Sequence, residues 1–306
     1  SNLATFNEYK SAKRNVRRKL GGELNSMRIA IYGREFSDDF IPYFQLLIDE
    51  LDRNEVDYFI YSKFHKNVVS KGITFGQEVK EYTRKSYPKL KLDFLFSIGG
   101  DGTILDTLTS IKKGIPVVGV NSGRLGFLSN TAKTEIKKVL KKLLKNEYRI
   151  EERAMLNLET KSNLFGKYNF ALNEFTVHKK DSSSMITIHV FVNGIFLNSY
   201  WADGVIIATP TGSTAYSLSC GGPILMPNSN NFVITPIAPH NLNIRPMVVP
   251  DDSVIELKVE GREQKFLATL DSRSEEISTE NHLIVTKSDL KINLVQFPNQ
   301  DFFKTI

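Results

Sequence analysis

Three glycines, a carboxylate and a hydroxyl occur together at residues 99–103, which we call the glycine turn. An apolar run, residues 94–98, precedes it, and a helical pattern follows it. Glycines leave backbone N–H groups open to an anion, and a helix start adds partial positive charge. We therefore predict that Gly99, Gly100 and Thr103 bind phosphate. Asp101 is the candidate general base for phosphoryl transfer, the alternative being an Asp that only caps the helix.

A second glycine-containing turn spans residues 121–128 and follows another apolar run that ends at Val120. Arg124 is a candidate phosphate ligand, since a guanidinium binds phosphate oxygens in pairs. Phe127 is a candidate for stacking on a base or for closing the core. An ordinary tight turn is the alternative.

Residues 209–219, which we call the hydroxyl-rich loop, are dense in Ser, Thr and small side chains. Hydroxyls and exposed amides suit a ligand with ribose, amide and phosphate groups, although a polar surface loop has the same composition. Asn173 and Glu174 interrupt an apolar strand pattern, where neighbouring side chains point to opposite faces. A strand end at a binding site explains this pair, and a chance polar pair is the alternative.

Several common site signatures are missing from the sequence. There is no Walker motif, no protein-kinase His-Arg-Asp or Asp-Phe-Gly, and no Gly-x-Gly-x-x-Gly. The five histidines do not have zinc-ligand spacing. The single cysteine, Cys220, has no evident base and is interpreted as a small buried residue. We expect no protein-bound metal; Mg²⁺ or another divalent cation arrives with the nucleotide, held by phosphate oxygens and water.

The pattern of elements predicts two units. Residues 27–150 alternate strands and helices, which predicts a parallel sheet covered on both faces, with ligands bound beyond the carboxyl ends of the strands. One of these helices is predicted over residues 133–145. After residue 150, short period-two runs dominate, the last of them at residues 283–286, and Asn193-Gly194 is a hairpin signal. The second unit is therefore predicted to be mostly antiparallel, as a β-sandwich.

Composition limits the classes of function. The chain has 306 residues, 41% hydrophobic, with a net charge of +6. Residues 1–26 contribute six basic and two acidic side chains, so the remainder carries a small excess that does not favour nucleic acid. We interpret residues 1–26 as a basic extension or expression remnant without the apolar segment of a signal peptide. No apolar run is long enough to span a membrane, and one cysteine fits a reducing compartment, so we expect a cytoplasmic protein.

Together these motifs resemble those of the NAD kinases. The resemblance rests on residues 99–103, residues 121–128, Asn173-Glu174, residues 203–223 and the run His-Asn-Leu-Asn-Ile-Arg-Pro at residues 240–246. Gly-Gly-Asp-Gly alone also occurs in lipid kinases and 6-phosphofructokinases. The run Thr-Pro-Thr-Gly-Ser-Thr-Ala-Tyr at residues 209–216 is far more specific.

The resemblance implies transfer of the terminal phosphoryl group of ATP to the 2′-hydroxyl of the adenosine ribose of NAD, which makes NADP. Asp101 would be the base for that hydroxyl, and Asn173 and Glu174 would bind the adenosine end. The other NAD-binding positions that it implies are Gly102, Phe127, Asp203, Thr211, Thr214, Ala215, Tyr216, Ser219 and Asp271. It also implies a homodimer or homotetramer in which neighbouring subunits help to complete the sites.

The predicted divisions are residues 1–26, 27–150, 151–288 and 289–306, the last returning to the first unit as the resemblance implies. Many NAD kinases carry a basic residue just before the Asp-Gly pair, whereas this chain has Trp201-Ala202 there. Preferences tied to that residue, such as NAD over NADH, are therefore not carried over. Two alternatives stay open: a lipid kinase of the diacylglycerol or sphingosine type, and a non-catalytic NAD or NADP sensor.

Overall fold

The computed structural model describes residues 27–109, 114–123, 125–180, 184–261, 265–298, 300 and 302–305. Within these residues the α-helices are α1 (Ile41–Arg53), α2 (Ser62–Ser70), α3 (Asp101–Thr107), α4 (Ile136–Leu144) and α5 (Tyr216–Ser219). The strands up to residue 171 are β1 (Arg28–Gly33), β2 (Asp57–Tyr61), β3 (Lys80–Tyr82), β4 (Phe94–Ile98), β5 (Val117–Asn121), β6 (Thr131–Ala132), β7 (Arg149–Thr160) and β8 (Phe170–Ala171). The remaining strands are β9 (Glu174–Lys179), β10 (Ile186–Val192), β11 (Ile195–Ala202), β12 (Gly204–Ala208), β13 (Asn231–Ile237), β14 (Met247–Pro250), β15 (Ile255–Glu260), β16 (Phe266–Leu270), β17 (Arg273–Ile277) and β18 (Leu283–Gln296).

A parallel sheet forms the first unit, as the alternating pattern predicts. Its strands lie in the order β5-β4-β1-β2-β3 and pair in parallel. Every residue of β4 and of β5 is buried, as expected for parallel strands covered on both faces. One core includes side chains of α1, α2 and α4, and a second includes Ile104 of α3 and Met155 of β7. The carboxyl ends of these strands share one edge of the sheet.

The helix predicted over residues 133–145 is present as a short 3₁₀ turn followed by α4. Ile136, Val139, Leu140 and Leu143 form its buried face. The poorly patterned stretch after β2 contains α2 and β3, which the sequence did not predict. Only Phe64 and Val68 are buried in α2, so its apolar periodicity is too short to be recognised.

The second unit is a β-sandwich, which confirms the predicted fold class. One layer is an antiparallel sheet in the order β14-β13-β12-β9-β16-β17. The other layer is formed by β11, β10, β15, β18 and β7, and the two layers enclose one apolar core. Alternate residues of β10 are buried in this core, in agreement with the period-two pattern.

Strand β18 connects the two units. The pattern predicted a strand over residues 283–286 only, whereas β18 continues to Gln296. Its first half pairs with β15 and its second half lies parallel to β5, where Leu294 is opposite Val117. Polar residues around a register shift between Lys287 and Lys291 interrupt the apolar alternation, which explains the short prediction. The parallel sheet of the first unit and one layer of the sandwich are therefore a single sheet that is continuous through β18, and the predicted boundaries between units stay predictions.

Candidate active site

The glycine turn lies at the carboxyl edge of the parallel sheet, directly after β4. Gly99 has φ of 145°, and an ideal Cβ there would lie 2.2 Å from Oγ1 of Thr103. A side chain at residue 99 is therefore excluded by both conformation and space. Around Gly100 no heavy atom of the described residues would meet a Cβ within 4 Å, so this part of the turn is open. Thr103 is buried, and its Oγ1 atom packs against the backbone of Gly99.

Backbone N–H groups of a second loop hold the carboxylate of Asp101. We call residues 126–129 the anchor loop. The N–H of Phe127 donates to Oδ2 at 2.9 Å, and those of Leu128 and Ser129 donate to Oδ1 at 3.1 and 2.8 Å. The hydroxyl of Ser129 donates to the carbonyl of Gly99 at 2.8 Å, which ties the same loop to the turn. Asp101 is therefore fixed by the loop after β5 as well as by its own helix.

Arg124, the remaining predicted phosphate ligand, lies outside the described residues. Gly102 is in the first turn of α3, and its ideal Cβ would lie 4.0 Å from Nη1 of Arg34. Arg34 directly follows β1 and pairs through Nε with the carboxylate of Asp106. The glycine turn therefore has an arginine beside it that the sequence did not predict.

Asn173 and Glu174 lie at a strand end, as their interruption of the apolar pattern suggested. Residues 172–174, which we call the Asn-Glu turn, span the break from β8 to the start of β9. The buried carboxylate of Asp271 accepts N–H groups from Leu172 at 3.0 Å, Asn173 at 2.8 Å and Glu174 at 3.3 Å. Asp271 thus holds the backbone of this turn from beneath.

Glu174 is a buried acid with an unusual protonation equilibrium. Burial and, to a smaller extent, the nearby Asp271 carboxylate raise the pKa of its carboxyl to about 8, while the N–H of Tyr216 opposes the shift. Its Oε2 atom has no hydrogen-bond partner within the described part of the chain. A buried polar atom without a partner is costly, so Glu174 is well suited to receive a polar ligand group.

The hydroxyl-rich loop packs on the Asn-Glu turn. Thr209 donates through its hydroxyl to the carbonyl of Leu172 at 2.5 Å and through its N–H to that of Asn173 at 2.9 Å. An ideal Cβ at Gly212 would lie 2.0 Å from the carbonyl oxygen of Asn173, so only glycine allows this approach. Of the other predicted residues here, Thr211 is buried, Thr214 and Ala215 are half-buried, and Tyr216 and Ser219 are exposed.

Burial raises the pKa of the Tyr216 hydroxyl, and Cys220, Asp203 and Glu174 add to that shift, so the Asp203 carboxylate lies near this part of the hydroxyl-rich loop. The backbone of Asp203 nevertheless precedes β12, whereas Thr209 follows that strand, and the six residue steps between them span about 20 Å. The Asp203 carboxylate pairs with Nζ of Lys179 at 2.6 Å. Phe127 lies in the anchor loop, away from the Asn-Glu turn. The centroid of its ring is 5.9 Å from that of Phe302.

Arg153 connects the hydroxyl-rich loop with the surroundings of Asp101, and the sequence did not predict it as a site residue. It is a buried residue of β7 whose Nε contacts Oε1 of Glu151 at 2.5 Å and whose Nη1 contacts Oγ1 of Thr211 at 3.2 Å. Burial lowers the pKa of its guanidinium, and the carboxylates of Glu151 and Asp101 oppose that shift. The sequence around it is a charged run, Glu-Glu-Arg, which has no feature that distinguishes a buried arginine from a solvated one.

A cavity of about 750 Å³ opens beside the anchor loop. Its lining includes Phe127, Arg149, Arg153, Gln296 and Phe302. These residues come from the loop after β5, the start of β7, the end of β18 and the C-terminal segment. The cavity therefore lies on the β5 side of the glycine turn and is large enough for part of a nucleotide.

Comparison with known proteins identifies the family. A model described as the ATP-NAD kinase N-terminal domain matches residues 47–148, and one described as the ATP-NAD kinase C-terminal domain matches residues 172–297. An NAD kinase of Cytophaga hutchinsonii is 47% identical over 281 residues, which cover 92% of this chain and 96% of that relative. The chain belongs to the NAD kinase family. An NAD kinase of Bacteroides fragilis is 39% identical over the same shares of the two chains.

Two solved structures of NAD(H) kinases have the same fold. Yeast NADH kinase complexed with NADH matches with a TM-score of 0.80 and 25% identity, covering 93% of this chain and 87% of that one. An NAD kinase from Archaeoglobus fulgidus in complex with ATP matches with a TM-score of 0.71 and 25% identity, covering 92% and 97%. The predicted resemblance is confirmed, and the lipid-kinase alternative is not favoured.

Neither a membrane-spanning helix nor a metal-binding cluster occurs among the described residues. None of the helices there is long and apolar enough to cross a membrane. Nor do three or more His, Cys, Asp or Glu side chains in that part of the chain come together in a group that could hold a metal ion.

Proposed function

We propose that this NAD kinase family member transfers the γ-phosphoryl group of ATP to the 2′-hydroxyl of the adenosine ribose of NAD, and that Asp101 accepts the proton of that hydroxyl. The observation that carries this proposal is the fixed carboxylate beside the open glycine turn. Family membership supports the reaction, and the geometry supports the role of Asp101.

The hydrogen bonds of Asp101 indicate which of its two carboxylate oxygens can accept the proton. A carboxylate offers about four lone-pair positions, and the anchor loop occupies two on Oδ1 and one on Oδ2. The remaining position on Oδ2 is the one that a substrate hydroxyl would occupy. As the hydroxyl loses its proton to Oδ2, its oxygen forms a bond to the γ-phosphorus, the bond from that phosphorus to the bridging oxygen breaks, and ADP leaves.

The acceptor nucleoside is assigned to the Asn-Glu turn and the hydroxyl-rich loop. This assignment is supported by Oε2 of Glu174, which has no hydrogen-bond partner among the described residues, and by the bond of Thr211 to Arg153, whose pKa the Asp101 carboxylate influences. A Glu174 carboxyl with a pKa of about 8 is protonated at neutral pH and can donate a hydrogen bond to a ribose or base acceptor. Asp271 acts in this proposal by positioning the turn rather than by touching NAD, because its carboxylate is buried and binds backbone N–H groups.

Three further parts of the proposal concern partners and location. Mg²⁺ enters with ATP and is coordinated mainly by phosphate oxygens and water. A homodimer or homotetramer is supported by the exposed apolar side chains Ile195, Phe196 and Trp201 on the edge strand β11. Such an assembly also offers a further role to Asp203, whose backbone lies at the opposite end of β12 from the Asn-Glu turn of its own chain. A cytoplasmic location is supported by the single cysteine, which is free.

The test is a coupled assay. The purified protein is incubated with ATP, Mg²⁺ and NAD, and NADP is detected with an NADP-specific dehydrogenase. We expect NADP from the wild type and a fall in kcat of about 10²–10⁴-fold for Asp101→Asn, with NAD affinity retained in calorimetry. Wild-type protein that makes no NADP, or that phosphorylates diacylglycerol instead, would refute the reaction. An Asp101→Asn variant with near-normal turnover would refute only the role of Asp101.

A further inference from the structure

Arg34 is held beside the glycine turn and takes no part in the proton transfer to Asp101. Its Nη1 would lie 4.0 Å from a Cβ at Gly102, and its Nε is paired with Asp106 of α3. Its side chain is nevertheless 57% exposed. The guanidinium is thus oriented by one carboxylate while much of its surface stays open to solvent, so it can receive an anionic ligand.

The order of strands separates Arg34 from the acceptor side. In the sheet, β4 lies between β5 and β1. The anchor loop and the 750 Å³ cavity follow β5, and Arg34 follows β1. The glycine turn, which follows β4, therefore has the Asp101-binding loop on one side and Arg34 on the other.

In-line phosphoryl transfer gives these two sides different roles. The attacking and leaving oxygens lie on opposite sides of the transferred phosphorus. If the NAD hydroxyl is on the side of Asp101 and the cavity, as the proposed function has it, the leaving diphosphate must lie on the side of Arg34. The open backbone at Gly100 leaves room for the transferred group between them.

The charges along this part of the edge fit an anion. Each of the strands β1, β2 and β3 is followed within two residues by one cationic side chain, and these are Arg34, Lys63 and Arg84. The one acidic side chain at these positions is Glu35. The side chain of Arg84 forms a hydrogen bond with the hydroxyl of Tyr32, at the end of β1. A second cation is therefore held close to the end of the strand that carries Arg34.

We propose that Arg34 binds the β- and γ-phosphate oxygens of the phosphoryl donor and stabilises the negative charge that develops on the leaving diphosphate. The inference rests on the proposed function for the identity of the acceptor. The ligand class is an anhydride-linked polyphosphate, with or without a nucleoside. A guanidinium can bind two such oxygens at once, which a single ammonium group cannot do in the same geometry. Arg34 exchanges no proton in this step.

The experiment compares Arg34→Ala and Arg34→Lys with a control, Arg28→Ala. Arg28 begins the same strand at the opposite edge of the sheet, where it lies over the ring of Phe59. We expect Arg34→Ala to raise the KM for ATP by about 10- to 100-fold, because that is the usual effect of losing one charged hydrogen-bonding group. The KM for NAD should stay within about twofold of the wild-type value. Arg34→Lys should recover part of the loss, and Arg28→Ala should match the wild type.

Binding without turnover separates this inference from the proposed function. Calorimetry with Mg²⁺–ATP and with inorganic triphosphate, in the Asp101→Asn background, should show weaker binding of both ligands when Arg34 is replaced. Loss of ATP binding alone would mean a contact with the nucleoside and would overturn the phosphate assignment. An unchanged donor affinity, or a rise in the KM for NAD instead, would overturn it as well. Absence of NADP formation by the wild type would count against the proposed function only.

Discussion

Gly126 is the position at which a single methyl group tests the role of the anchor loop. An ideal Cβ there would lie 2.1 Å from Oδ1 and 2.7 Å from Cγ of Asp101. Since such contacts are too short by about 1 Å, Gly126→Ala must move either the carboxylate or the loop. The N–H···O distances of 2.8–3.1 Å would then exceed hydrogen-bonding range for at least part of the set.

The expected loss follows from that displacement. A misplacement of about 1 Å in a catalytic group costs about 100-fold in rate, so we expect kcat to fall by about 100-fold. Each charge-assisted hydrogen bond that is lost removes about 1.5–3 kcal/mol of favourable interaction, so the free energy of unfolding should fall by a similar amount. The measurements are steady-state kinetics with NAD and ATP and urea denaturation.

Gly123→Ala is the matched control in the same region. Its nearest neighbour would be Oδ1 of Asn121 at 3.9 Å, an ordinary contact, so kcat and stability should stay near the wild-type values. A folded Gly126→Ala variant with kcat within about twofold of wild type would refute the reasoning. Equal losses in both variants would show that the region tolerates no methyl group, and the specific role of the anchor loop would be wrong.

Two further predictions concern buried charges. The pKa of Glu174 is raised from 4.5 to about 8 in the folded protein. Between these two pH values the folded state therefore binds more protons than the unfolded state. The free energy of unfolding should fall as pH rises through that range, by at most about 1.4 kcal/mol per pH unit. Glu174→Gln should lack this slope in urea denaturation at pH 5 to 8, and parallel slopes for the two proteins would show that Glu174 is ionised in the fold. Arg153→Met removes a buried cation from Glu151 and Thr211, and we expect it to lower the free energy of unfolding by about 3 kcal/mol and to weaken NAD binding in calorimetry. Unchanged stability and affinity would mean that the link through Arg153 is dispensable.

Local patterns in the sequence were sufficient for the elements that carry the site. The apolar run of β4 is buried throughout, and Gly99 adopts a φ that favours glycine, so strand and turn follow from neighbouring residues alone. Asn173 and Glu174 indicated a strand end because two polar neighbours cannot both avoid an apolar core. Period-two alternation in β10 likewise identified a sandwich strand.

The tertiary structure decided how these elements combine. Backbone N–H groups bind Asp101 and Asp271, and every residue except proline has such a group, so the sequence contains no signal for either contact. Arg153 is buried because Glu151 and Thr211 meet it there, and Thr211 is far away in the chain. The sequence by itself determined the strand, the turn and the helix start around Asp101, and it predicted phosphate as the ligand of the turn. Only the packing of distant strands determined which oxygen of Asp101 is open and on which side Arg34 lies, because both depend on the order of strands in the sheet.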